Sequence, residues 1–177
     1  MILALQFCVF YHSVEATQLN SANIYMVGDC GKLLKYKGVE VKVSYVQYTA
    51  EGVDYPAYCL DKTKPGAENG AYTVSVNNMI QDVGLWRRII NGYPYQSIEE
   101  LGVANKEEAF TATKQAIYCY IHGNNPEDYT PIGEAGERTL RAMHQIIAKA
   151  ENSTETKMSN YVEIKEEENW RVDDIKK

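Results

Sequence analysis

The hydrophobic pattern of this chain changes its period twice, which limits the folds open to it. Five segments alternate β-branched or aromatic residues with polar ones and are predicted to be strands: residues 23–28, 32–36, 39–48, 55–60 and 72–76. From residue 77 to residue 150 the apolar spacing is helical, and strands are predicted again at residues 161–165 and 170–175. This order predicts an α+β fold, a β-sandwich or barrel-like framework with an inserted α-helical subdomain at about residues 77–150.

Four helices are predicted within the helical block. The first ends at Asn91 and has its apolar residues at helical spacing: Met79, Ile80, Val83, Trp86, Ile89 and Ile90. A short second helix begins at Ser97 with the spacing of a capping box. The third helix covers residues 105–122, and the fourth covers residues 137–150.

The first residues differ from the rest of the chain. An apolar run at residues 1–11 is followed by Val14 and Ala16, which fit a signal-peptidase site. We interpret residues 1–16 as a signal peptide. We describe it as clipped, because the basic residues that usually precede the apolar run are missing. Residues 17–177 are then expected to form a single exported domain.

Composition excludes several classes of function. The formal net charge is -6 and the pI is near 5.1, whereas a nucleic-acid surface needs clustered Lys and Arg. The carboxylates have no ordered ligand spacing, so neither a metal nor another cofactor is expected. The cysteines at positions 8, 30, 59 and 119 contain no close pair, which excludes zinc-ribbon and thioredoxin motifs. Cys30 and Cys119 can form a disulfide in an exported protein, or each can be a small buried apolar residue.

Two motifs place a sulfur nucleophile and a carboxamide in the same chain. The first is Tyr58-Cys59-Leu60-Asp61, near the end of a predicted strand. The second, on the third predicted helix, is Thr113-Lys114-Gln115-Ala116-Ile117-Tyr118. If the fold brings Cys59 to Gln115, the thiolate can expel ammonia from the carboxamide and leave an internal thioester.

These motifs resemble those of the Cys-Gln thioester domains, or TQxA-type domains, of Gram-positive bacterial cell-surface adhesins. That family pairs an aromatic-Cys-apolar-polar motif with a helix carrying Thr-Gln-x-Ala-Ile-aromatic. The resemblance extends through residues 55–62, 84–94 and 121–123 and covers residues 24–165. It implies an adhesion domain whose Cys59-Gln115 thioester captures an amine or hydroxyl, typically a lysine, on a host or matrix surface protein.

The resemblance also implies where and how such a domain works. Capture occurs once, so the domain is not an enzyme in the turnover sense. The protein is expected to be secreted or displayed on the cell surface, with cell-wall anchorage through a missing C-terminal region. Contact with a membrane is expected only through such an anchor.

The second motif departs from the family pattern at one position. In an ungapped alignment Lys114 occupies the glutamine position, and Gln115 occupies the variable one. On a helix, one apolar arc contains Ala109, Phe110, Thr113, Ala116, Ile117, Tyr120 and Ile121. Gln115 falls on the other side, so a Gln115 thioester requires this second face also to meet the body of the protein. Otherwise Gln115 is a polar residue on a solvated face.

Each candidate residue has a role in the thioester hypothesis. Cys59 is the nucleophile and Gln115 the acyl donor, and His122 is the nearest group that can protonate the departing ammonia. Lys114, Tyr58 and Asp61 are further assisting candidates because they flank the two reacting groups.

Two other functions fit the same residues. One is a noncovalent adhesion or scaffold domain that keeps the family fold without the thioester. The other is a cysteine hydrolase or transferase with Cys59 as nucleophile, His122 or His144 as base, and Asp61 or Asp128 to orient that base.

Overall fold

A computed structural model describes residues 21–50, 52–63, 69–73, 75–79, 82–156 and 162–165 of the chain. The predicted signal peptide at residues 1–16 and the predicted strand at residues 170–175 lie outside them.

Nine short strands and four helices make up the described fold. The strands are β1 (Ser21–Asp29), β2 (Leu34–Tyr36), β3 (Val39–Glu40), β4 (Ser44–Ala50), β5 (Val53–Pro56), β6 (Gly70–Thr73), β7 (Ser75–Met79), β8 (Tyr129–Pro131) and β9 (Val162–Lys165). The helices are α1 (Val83–Ile90), α2 (Ile98–Leu101), α3 (Lys106–Ile121) and α4 (Gly133–Asn152), with a 3-10 turn at Pro126–Asp128.

The strands form three antiparallel sheets, which confirms the predicted α+β class. Their orders are β5-β4-β1-β6, β3-β2-β8 and β7-β9. Within the described residues these sheets stay open and do not close into a barrel. All four helices lie between β7 and β9 in the chain. Strand β8 lies between α3 and α4 and so interrupts the helical block.

The first helix begins later than its apolar spacing predicts. Residues 75–79 form β7 and pair with β9, and α1 begins only at Val83. Asp82 is the N-cap, since its carboxylate accepts the Leu85 N–H at 3.0 Å. Apolar residues four apart, such as Met79 and Val83, fit both periods over so short a run, so pairing with a distant strand decided the structure.

Helix α3 lies at the centre of the core. Phe110 is 1% exposed and packs against the rings of Tyr45 and Tyr58, at centroid distances of 4.7 and 4.5 Å. The predicted apolar arc is buried over residues 109–117. It ends there, because Tyr120 is 39% exposed, with its hydroxyl on Asp82 and its ring under the Arg88 guanidinium.

Helix α4 closes the core on another side of α3. Its inward residues are Thr139, Ala142, Met143, Ile146, Ile147 and Ala150. A side chain at Gly136 would collide with the Leu33 carbonyl, so the glycine lets α4 pass close to the backbone beside β2. This packing holds α3 from several directions and leaves part of one face open to the loop after β5.

Candidate functional site

Cys59 lies in the loop that follows β5, on the surface of the protein. Its side chain is exposed, and its thiol donates to the Asp61 carbonyl at 3.1 Å. The Asp61 carboxylate accepts from the backbone N–H of Thr63 at 2.9 Å and from its hydroxyl at 2.7 Å. These short-range bonds fold the loop into a compact turn that presents the sulfur.

Tyr58 fastens this loop to the core. Its ring stacks on Phe110 with planes 18° apart, and its hydroxyl donates to the Tyr93 carbonyl at 2.7 Å. Tyr93 in turn donates its backbone N–H to the Thr113 hydroxyl at 2.9 Å. A side chain at Gly92 would strike Thr113, so glycine permits this close approach to α3. Tyr58 therefore positions Cys59 rather than lying free beside it.

Three residues spaced by four, two on α3 and one at its C-cap, line the helix beneath the Cys59 loop: Lys114, Tyr118 and His122. We call them the Cys59 face. Burial raises the pKa of Tyr118, and so do the charge of Cys59 and a hydrogen bond with its sulfur. The His122 ring meets Tyr118 edge-on at 4.8 Å, and its Nε2 accepts the Lys62 N–H at 3.4 Å. The loop thus runs along this face.

Lys114 is the charged member of the Cys59 face. Its ammonium lies 5.6 Å from the centroid of the Tyr118 ring, and the residue is half-buried. Burial lowers the pKa of Lys114, whereas the thiolate charges of Cys59 and then Cys30 oppose that change. Desolvation of an ammonium favours its neutral amine, which is the nucleophilic form.

Gln115 lies on a different, buried face of α3. The Gln115 face comprises Glu108, Thr111, Gln115 and Cys119. Gln115 is only 3% exposed, and its Oε1 accepts from the Tyr129 hydroxyl at 3.0 Å. Asn124 donates to that same hydroxyl at 2.9 Å. The interpretation of Gln115 as a residue on a solvated face is therefore wrong, and the second face does meet the body of the protein.

Glu108 anchors the other end of the Gln115 face. It is 2% exposed and accepts two hydrogen bonds from Arg138, at 2.8 and 3.0 Å, as well as the Ala104 N–H at 3.1 Å. Burial alone would raise the pKa of Glu108, but these bonds and the Arg138 charge outweigh it and hold the pKa below its ordinary value. Glu108 and Gln115 are thus held by hydrogen bonds inside the protein, whereas the buried Thr111 hydroxyl of the same face has no hydrogen-bond partner among the described residues.

The structure gives Cys59 and Gln115 different neighbours. Tyr118 and Lys114 adjoin the sulfur, and Tyr129 holds the carboxamide. The charge of Cys59 therefore acts on Lys114, the residue at the family's glutamine position, and on Tyr118. A Cys59-Gln115 thioester stays a prediction, and it requires the carboxamide to exchange Tyr129 for Cys59.

The remaining cysteines are structural in their surroundings. Cys30, Cys59 and Cys119 are all free thiols, so the Cys30-Cys119 disulfide considered from the sequence is not formed. Burial raises the pKa of Cys30 and that of Cys119 to about 11. Cys8 lies outside the described residues.

The orienting acids of the hydrolase hypothesis have contacts of their own. The Asp61 carboxylate binds Thr63, and Asp128 lies 3.6 Å from the Lys37 ammonium. His144 is half-buried on α4. The hydrolase triad stays a prediction.

Tyr129, Tyr93 and Cys30 are site neighbours that sequence reasoning missed. Each comes from a segment far from both motifs, and no local spacing marks them. In the part of the chain that the structure describes, no three His, Cys, Asp or Glu residues gather as a metal site, and no helix is long and apolar enough to cross a membrane.

Comparison with known proteins gives one family and two solved structures. The thioester domain family model (TED) matches residues 56–152, more than half of the chain. The fold is similar to the Bacillus anthracis TIE protein, with TM-score 0.61, 23% identity and coverage of 76% of this chain and 24% of that one. It is also similar to the thioester domain of the Enterococcus faecium TIE86 protein, with TM-score 0.60, 18% identity and coverage of 82% and 54%.

These similarities differ in what they show. The identities to both solved structures are low, so those structures establish the fold alone. This chain spans a quarter to about half of their length, 24% and 54%. No curated protein matches the sequence.

Proposed function

This chain belongs to the thioester domain family, and we propose that it is a single-turnover attachment domain that acts through Cys59. The observation that carries the proposal is the placement of the Cys59 loop along α3, the helix with the second family motif. Stacking of Tyr58 on Phe110 keeps this loop on the helix. The sulfur is exposed, as a group that meets a partner must be.

The proposed reaction first forms an acyl-sulfur bond and then breaks it by transfer of the acyl group to a partner. The Cys59 thiolate attacks the side-chain carbonyl carbon of Gln115, and the amide nitrogen leaves as ammonia after taking up a proton. The Tyr129 hydroxyl already donates to Oε1, the atom on which negative charge develops during this attack. A lysine amine of a partner then attacks the thioester, which links Gln115 to the partner and releases the Cys59 thiol.

Intact mass of the folded domain tests this reaction. The wild type should lack the mass of one ammonia and should gain one methylamine when that amine is supplied. The Cys59→Ser and Gln115→Ala variants should have the full masses calculated from their sequences and should not react with methylamine. Gln145→Ala is the matched control, because that amide donates to the Glu100 carbonyl on the exposed surface. A wild-type protein that has its full sequence mass and does not react with methylamine would show that the Cys59-Gln115 thioester does not form.

A noncovalent attachment domain is the second candidate, and the geometry of α3 favours it specifically. Lys114 occupies the glutamine position beside Cys59, and Tyr129 holds Gln115 in the interior. An amine cannot serve as the acyl donor that the family reaction needs. The same mass experiment separates the two candidates, since a folded domain of full sequence mass attaches without a thioester.

The setting of the domain is part of the proposal. We place it outside a Gram-positive cell or on its surface, acting on a lysine or another nucleophile of a host or matrix surface protein. The organisms of the two similar structures support this setting. Protease treatment of intact producing cells tests this setting. Loss of the domain from the cell fraction would support it, and complete protection of the domain from the protease would contradict it.

A further inference from the structure

A thiol and an amine adjoin each other on the Cys59 face. At the start of the Cys59 loop Tyr58 stacks on Phe110, and one turn further along α3 the Lys114 ammonium lies 5.6 Å from the centroid of the Tyr118 ring. Lys114 and Tyr118 are one helical turn apart, so both side chains leave α3 on the same side. Lys62 and His122 hold the loop against the next turn of that side.

We propose that Cys59 and Lys114 form an oxidative cross-link, a sulfenamide bond between Sγ and Nζ, when the domain meets hydrogen peroxide. This modification does not rest on the thioester. It uses the residue that stands in place of the family's glutamine.

The chemistry balances in two steps. In the first, the Cys59 thiolate attacks one peroxide oxygen, giving the sulfenic acid and, after protonation, one water; sulfur is oxidised and peroxide reduced. In the second, the lone pair of the neutral Lys114 amine attacks that sulfur, and the hydroxyl leaves with an amine proton as a second water. Overall, one thiol, one amine and one peroxide give one S–N bond and two waters.

Accessibility selects Cys59 over the other thiol near Lys114. Cys30 is 6% exposed, whereas Cys59 is open to solvent. Burial raises the pKa of Cys30 to about 11, so little of its reactive thiolate exists near neutral pH. The Cys59 thiolate also acts on Lys114 more strongly than the Cys30 thiolate does.

The bond would fasten the Cys59 loop to α3 and occupy the sulfur. A cross-linked domain cannot use Cys59 for acyl chemistry, so under the thioester proposal oxidant that reaches the thiol before the thioester forms would prevent its formation. Excess thiol reverses the bond: one thiolate attacks the Cys59 sulfur and frees the Lys114 amine, and a second thiolate releases Cys59 from the mixed disulfide.

Peptide mapping after brief peroxide treatment tests the cross-link. The complete chain is oxidised, alkylated in denaturant and digested without reductant. The test is made in the Gln115→Ala background, in which Cys59 stays a thiol: this protein should lose the mass of two hydrogen atoms and yield one peptide pair joined through Cys59 and Lys114, and dithiothreitol should restore both. Cross-link yield should rise with pH, because the thiolate and the neutral amine both increase.

Matched variants identify the two bonded atoms. Cys59→Ser and Lys114→Arg should abolish the joined peptide, with Lys114→Arg keeping the positive charge. Cys30→Ala and Lys106→Arg should retain it; Lys106 is a second lysine of α3, whose ammonium lies 5.0 Å from the Tyr45 ring centroid. Circular dichroism confirms that each variant is folded.

Three results would overturn the cross-link. One is the same two-hydrogen loss in Lys114→Arg, which would reveal a Cys30-Cys59 disulfide instead. Another is oxygen addition at Cys59 with Lys114 left unmodified. The third is no change at Cys59 in a variant such as Gln115→Ala, where no thioester can protect the thiol. A thioester instead appears before any oxidant as loss of ammonia, so the two proposals fail independently.

Discussion

The two polar faces of α3 differ in how far their side chains are shielded from solvent. The Gln115 face is closed: Glu108 and Gln115 are nearly fully buried and hydrogen-bonded to Arg138 and Tyr129. The Cys59 face is half-open, with an exposed thiol above a half-buried lysine. A buried polar group with complete partners stabilises the fold, whereas a partly desolvated nucleophile with access to solvent can react. One helix thus carries a buried hydrogen-bonded face and the face beneath the proposed reactive thiol, about 100° apart.

Phe110→Ala should have the largest effect, because Phe110 supports the Cys59 loop through Tyr58. The free energy of unfolding should fall by about 3–5 kcal/mol, as is typical when a buried ring is removed. Urea unfolding measures this, with Val39→Ala as control, since Val39 is 71% exposed. A loss no greater than the control's would mean that the loop does not depend on this ring.

The second-largest predicted effect is a difference in thiol reactivity between Cys59 and Cys119, which lie on different sides of α3. In Gln115→Ala, which cannot form a thioester, iodoacetamide near pH 8 should alkylate Cys59 about a hundredfold faster than Cys119. Cys119 is partly covered, and burial raises its pKa from 9.0 to about 11, so its thiolate grows only as pH rises towards that value. Mass-resolved alkylation gives both rates, and denaturant should make them similar. Equal rates in the folded protein would remove the contrast.

Tyr129→Phe should open the Gln115 face at moderate cost. The variant leaves the buried Oε1 of Gln115 without its hydroxyl donor, which should lower the free energy of unfolding by about 1–2 kcal/mol. Tyr25→Phe, at an exposed position on β1, is the control. Thermal or urea unfolding gives the difference. A variant as stable as the wild type would show that Gln115 finds another donor.

The smallest predicted effect is on the pH dependence of stability, and it is confined to acid pH. The pKa of Glu108 is lower in the folded protein than its ordinary 4.5, so the unfolded chain binds the proton first as pH falls. The stabilisation is therefore complete above pH 4.5 and is lost as pH falls towards and through the folded pKa. Glu108→Gln should flatten this acid limb of the stability curve, measured by urea unfolding.

Glu107→Gln is the matched control for this pH dependence, because Glu107 is the adjacent and more exposed acid of α3. Its acid limb should keep the wild-type slope. An unchanged slope in Glu108→Gln as well would assign the acid sensitivity to other carboxylates.

Local signals predicted much of the secondary structure. Asn105 caps α3, and Ser97 with Glu100 forms the predicted capping box of α2, because a cap depends only on residues within one turn. The start of α1 could not be predicted, since β7 gains its strand structure from β9, which is distant in sequence. Glu108 likewise has the spacing of a capping box, yet its carboxylate binds Arg138 on α4.

By itself the sequence determined the α+β class and the family, and it named Cys59 as the candidate thiol, because periodicity, caps and short motifs are local properties. Only the tertiary structure decided which side chain of α3 meets that thiol. Lys114 and Gln115 are neighbours in sequence, but one residue of helix turns them to different faces. Packing against the β5 loop on one side and Tyr129 on the other then placed the amine by Cys59 and the carboxamide in the interior.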